Sequence, residues 1–215
     1  MSYDICVLGL GYIGLPTASV FATRGKKVLG VDVIPHVVET INRGEIHIEE
    51  PDLDVLVRAA VHSGNLRAAL RPEAAKAFVV AVPTPFKPTA RNPKAPDLAY
   101  VESATRTLAS VVAAGNLVIL ESTSPVGTTE LMRDWLFDEV KKIRPEEVAL
   151  LRESVLFAHC PERILPGQML KELVSNDRIC GGITPEAASA AKVKDRLVAA
   201  GFDMEPLTPP SQLPL

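Results

Sequence analysis

The stretch Ile5–Ala22, ICVLGLGYIGLPTASVFA, decides the fold. It runs eighteen residues without a charge, the length at which a membrane span comes into question. Yet it holds Gly9, Gly11, Gly14 and Pro16, and no basic residue precedes it as a signal peptide requires. It reads instead as a buried strand, a tight turn and the opening of a helix. The turn, Gly9-Leu10-Gly11-Tyr12-Ile13-Gly14, has the spacing G-x-G-x-x-G. Gly9 permits the tight turn, Gly11 lets the backbone approach a pyrophosphate, and Gly14 lets helix and strand pack closely. Free amides at the helix start, helped by the helix dipole, suit phosphate charge. Asp32 follows the next apolar run, eighteen residues after Gly14, where a carboxylate would hold an adenosine ribose diol. Val33-Ile34-Pro35 offers no arginine for a 2′-phosphate, so the expected cofactor is NAD rather than NADP.

Outward from this stretch, short apolar runs alternate with longer amphipathic ones, the rhythm of βαβ units. Strands are expected at Ile5–Leu8, Lys27–Val31, Ala77–Val82, Leu117–Leu120, Val155–Ala158 and Arg178–Cys180. They lack polar alternation, as strands covered on both faces do. Helices are expected at Tyr12–Arg24, His36–Asn42, Asp52–Ser63, Leu98–Ala113, Thr128–Lys142 and Pro185–Ala200, with Asp97 capping the fourth. The fold class is therefore α/β, a Rossmann-type doubly wound, mostly parallel sheet with helices on both faces. One domain is expected over 1–207. Pro83–Pro96 holds five prolines in fourteen residues and reads as a stiff loop at a strand's carboxyl end. The tail 208–215, TPPSQLPL, holds three in eight and cannot continue a helix or a central strand.

Composition narrows the function. Of 215 residues, 47% are apolar and 23% charged, an ordinary globular balance. Net charge −3 argues against a general nucleic-acid binder, and 5% aromatics argue against base-stacking platforms. Mean hydropathy is +0.17, high for a chain with no expected membrane span. Cys6, Cys160 and Cys180 are too few and scattered for a disulfide framework or zinc cluster, which points to a reducing, cytoplasmic compartment. His36, His47 and His62 show no ligand spacing, and no metal site is expected. Cys160 beside His159 suggests a nucleophile, but neighbours on a strand point to opposite faces, so a buried thiol is expected.

Taken together, LGLGYIGLP, AVPTPF, ESTSPVG and PERILPG resemble the UDP-glucose/GDP-mannose dehydrogenase family. INRGEIHIEEPDL, PDLAYVESA and CPERILPGQ are similar to the branch that oxidises UDP-N-acetyl-D-mannosamine. The resemblance covers about Ile5 to Leu207, the family's amino-terminal, cofactor-binding half. It implies a four-electron oxidation of a UDP-N-acetylhexosamine with two NAD, passing through a cysteine thioester, to supply surface polysaccharide. It implies Tyr12 and Ile13 over the pyrophosphate, Asp32 at the ribose, and Thr84 and Thr123 toward the nicotinamide. It further implies Thr123 and Glu162 in catalysis, Glu162 assisting hydrolysis, with Arg163 and Ile164 contacting the nucleotide sugar.

The family's nucleophilic cysteine would lie beyond residue 215, and its lysine and asparagine on a helix after the present end. A shortened chain or interrupted reading frame that binds NAD without completing the reaction is therefore expected. The family's central helix builds a dimer, which implies a homo-oligomer and an apolar patch prone to self-association. A β-hydroxyacid dehydrogenase, another UDP-sugar 6-dehydrogenase and a catalytically inactive dinucleotide-binding module are the alternatives.

Overall fold

The run Tyr3–Leu8 forms β1, an interior strand of a seven-stranded sheet ordered β3-β2-β1-β4-β5-β6-β7. The computed structural model describes residues 3–88, 94–162, 164–165 and 167–198. The other strands are β2 (Val28–Val31), β3 (Leu66–Ala69), β4 (Ala75–Val80), β5 (Leu117–Leu120), β6 (Leu156–His159) and β7 (Gly181–Gly182). β1 to β6 pair in parallel and β7 runs antiparallel to β6. The helices are α1 (Gly14–Thr23), α2 (Pro35–Asn42), α3 (Leu53–His62), α4 (Ala99–Thr107), α5 (Thr128–Ile143), α6 (Val148–Ser154), α7 (Met169–Ser175) and α8 (Pro185–Val198).

Alternation along β1 divides the core. Ile5 and Val7 join the cluster of α1, α2, α3, α7 and α8, while Cys6 and Leu8 join that of α4, α5 and α6. Both faces are covered, which is why these strands carry no polar alternation.

The differences from the sequence expectation have local causes. β3 is not among the expected strands, because Leu66-Arg67-Ala68-Ala69 carries a buried–exposed alternation over only four residues. The last strand falls on Gly181–Gly182, not Arg178–Cys180; glycine is depleted in strands, so its residues carry no strand signal. α4 ends at Thr107 and tightens into a 3₁₀ turn over Leu108–Ser110. There Thr105 and Thr107 return their hydroxyls to the Val101 and Ala104 carbonyls (2.7 and 2.6 Å), which weakens helix continuation. Val101, Leu108 and Val112 are nonetheless buried. α4 starts at Ala99 with Leu98, not Asp97, at its N-cap position, although Asp97 Oδ1 still accepts the Ala99 amide (3.0 Å). The tail 208–215 and the boundary at 207 lie outside the described residues.

Candidate functional site

β1 neighbours both β2 and β4, so the chain leaves its centre in opposite directions and opens a crevice at the strands' carboxyl ends. The phosphate loop sits there. Gly9 has φ +89, and a Cβ on it would lie 2.6 Å from the Ala81 carbonyl oxygen. A Cβ on Gly14 would lie 1.8 Å from the Gly9 oxygen. Both glycines are required by the fold itself. Gly11 differs: a Cβ there would meet nothing within 4 Å, so the loop leaves open space at this backbone position. Leu10 is fully buried against Gly30 and anchors the loop from beneath. Tyr12 is half-exposed, and Ile13 packs partly against the core.

Asp32 stands at the end of β2 and holds two segments at once. Its Oδ2 accepts the Leu10 amide and its Oδ1 the Ile34 amide, both at 3.0 Å. The phosphate loop and the turn after β2 are thereby fixed to one carboxylate, whose remaining lone pairs are available to hydroxyl donors. Among the described residues, His47 Nδ1 is buried without a hydrogen-bond partner. Burial holds this imidazole below the usual histidine range; the Asp32 carboxylate opposes that shift and His36 reinforces it.

The loops after β4, β5 and β6 are sewn together. Thr84 Oγ1 donates to the Thr123 carbonyl (2.7 Å), and Ser122 Oγ to the Val82 carbonyl (2.6 Å). The Glu162 amide donates to the Glu121 carbonyl (3.3 Å). Thr84, Thr123 and Glu162 therefore share one edge of the sheet, as their positions after predicted strands required. The described ends of the proline-rich segment pair with each other, the Lys87 amide on the Ala95 carbonyl and the Asp97 amide on the Pro85 carbonyl (both 2.7 Å). Ile164 lines a small pocket with Glu162, Leu173 and Arg178. Arg163 lies outside the described residues. His159 turns from Cys160: its Nδ1–H donates to the Leu120 carbonyl (3.0 Å).

Two buried carboxylates escaped the sequence reading. Glu121, inside ESTSPVG, accepts Arg178 (2.5 Å) and the Thr17 hydroxyl (3.3 Å), tying α1 to the segment before β7. The pair is nearly dry, with side chains 7% and 3% exposed. Glu50 accepts the Gly167 and Met169 amides (2.8 and 2.7 Å) and so caps α7 from more than a hundred residues away. A charge directly after four buried apolar residues was the only signal for Glu121.

This mostly parallel sheet, glycine turn and strand-end carboxylate define a dinucleotide-binding domain of the Rossmann type. The profile of the UDP-glucose/GDP-mannose dehydrogenase family, NAD binding domain, matches residues 3–196. The chain belongs to that family, and the cofactor of the matched domain is NAD. It is 55% identical over 188 residues to an NDP-N-acetyl-D-galactosaminuronic acid dehydrogenase of Ralstonia nicotianae, covering 87% of this chain and 44% of that protein. It is 52% identical over 202 residues to a UDP-N-acetyl-D-mannosamine dehydrogenase of Yersinia pestis, covering 94% and 47%. The solved structure of a UDP-D-ManNAc dehydrogenase from Pyrococcus horikoshii superposes with TM-score 0.81 at 41% identity, over 92% of this chain and 45% of that one. The chain spans about half the length of the curated relatives it matches.

Proposed function

We propose that residues 1–207 are the NAD-binding domain of a UDP-N-acetyl-D-mannosamine 6-dehydrogenase. The observation that carries this reading is the crevice where Gly11 leaves open space beside an Asp32 carboxylate fixed to both flanking segments. NAD, when bound, supplies the hydride acceptor. Gly9, Gly11, Tyr12, Ile13 and Gly14 form the pyrophosphate cradle, and Asp32 takes the ribose hydroxyls. Thr84 and Thr123 orient the nicotinamide end, with Thr123 also facing the reacting sugar. Glu162 holds the proton exchanged with the hydrolytic water, and Arg163 and Ile164 contact the nucleotide sugar.

The substrate is a UDP-N-acetylhexosamine, and the uronate product feeds surface polysaccharide. The protein works in the cytoplasm as a homo-oligomer. Exposed Phe86 and Val126, on the loops bearing Thr84 and Thr123, support an apolar surface for association at the carboxyl edge. A second reading, an N-acetylgalactosaminuronate-forming enzyme, draws support from the relative at 55% identity.

Residues 1–215 should bind NAD yet fail to oxidise the sugar, because the family's cysteine, lysine and asparagine are not among them. Residues that act as a unit lose nearly all activity when one is missing. The test follows NADH absorbance with UDP-N-acetyl-D-mannosamine beside a thermal-shift titration with NAD. Stabilisation without NADH is expected. Steady turnover abolished by Cys160→Ser would place the nucleophile inside this chain and defeat the reading.

A further inference from the structure

Cys160 and Cys180 meet across the sheet's last strand pair, with their sulfurs 3.3 Å apart. The register explains the meeting. Ala158 pairs with Gly182 and His159 with Gly181 in antiparallel sense, so one further step sets Cys160 opposite Cys180. The Ile183 amide donates to the Phe157 carbonyl, which makes that position a hydrogen-bonded one. By strict alternation Cys160 and Cys180 occupy a non-hydrogen-bonded position, the class whose side chains come closest and whose Cα separation suits a disulfide. Closing a bond of about 2.0 Å needs the sulfurs to move only a little over 1 Å.

We propose that Cys160 and Cys180 are an oxidisable dithiol that hydrogen peroxide converts to an intramolecular disulfide. One thiol is oxidised to a sulfenic acid as the peroxide is reduced and releases one water. The second thiol then displaces the sulfenic hydroxyl, which leaves as a second water while the S–S bond forms. Two thiols thus lose two protons and two electrons, and the peroxide gains them. Both cysteines are buried, so attack waits on opening of the two-residue edge strand β7. Cys6 is the internal control: it lies in the core on the other side of the sheet, and burial pushes its thiol up to about 12. The bond would tie the start of the loop bearing Glu162 to the segment bearing Arg178.

The experiment exposes the purified protein to hydrogen peroxide, quenches it, unfolds it with an alkylating reagent and maps the peptides by mass spectrometry. Expected are Cys160 and Cys180 peptides joined and lighter by two hydrogens, Cys6 alkylated, and all three thiols recovered after dithiothreitol. In Cys180→Ser the joined peptides should vanish and Cys160 should carry a dimedone-trapped sulfenic acid. Alkylation of both cysteines after exposure sufficient to oxidise a small reference dithiol overturns the proposal. Disulfides linking separate chains, or involving Cys6, overturn it equally.

Discussion

A Cβ at Gly14 would sit 1.8 Å from the Gly9 oxygen, whereas one at Gly11 would meet nothing within 4 Å. The two substitutions should therefore separate folding from binding. Gly14→Ala forces backbone apart and should cost at least about 1–3 kcal/mol in urea unfolding. Gly11→Ala should leave the melting temperature of the ligand-free protein unchanged and weaken NAD by at least about tenfold, or ~1.4 kcal/mol. A Gly11→Ala protein that binds NAD normally would remove the pyrophosphate from this loop. Asp32→Ala should weaken NAD by about 10- to 150-fold, the loss of hydrogen bonds to a charged group worth roughly 1.5–3 kcal/mol. Calorimetric titration reads it directly, and an unchanged dissociation constant would take Asp32 out of the site.

Helix α7 owes its start to a residue far from it in sequence. Glu50 takes the Gly167 and Met169 amides, so Glu50→Ala should cost about 1.5–3 kcal/mol. Amide hydrogen exchange should speed up first at those two positions; uniform loss across the sheet would mean that Glu50 does no local work. The same geometry explains what a linear reading misses. Elements whose signals are local were legible: β1, β2 and β5 from continuous apolar runs, and α1, α3 and α5 from the longer stretches between them. α7 was not, because its cap arrives from Glu50, and β7 was not, because two glycines carry no strand preference. The site divides likewise. The glycine loop and Asp32 follow from spacing along the chain, while the Glu121–Arg178 pair exists only once β5 and the segment before β7 lie side by side. Roles for Thr84, Thr123 and Glu162 came through family resemblance, and the structure adds their common edge.

Across the whole molecule, burial holds His159 and His47 below the ordinary histidine range. The unfolded chain therefore takes up these protons at a higher pH than the folded one does. Stability should be fully present above about pH 7 and fall as the pH drops through the unfolded value near 6.5 toward the folded ones. Asp4, held low by Lys76, adds its own loss only further into the acid range. His159→Asn should flatten the decline between about pH 7 and 5 in urea unfolding. An undiminished slope would assign it to other groups. The residues proposed to contact the cofactor follow β1, β2, β4 and β5, at the carboxyl ends of strands on both sides of the β1–β4 boundary. The most direct test is calorimetric titration of residues 1–215 with NAD and, separately, with NADP. One saturable site for NAD and markedly weaker binding of NADP, repelled by the Asp32 carboxylate, is the predicted result. A folded protein that gives no heat with NAD, or that binds NADP equally well, would contradict the account.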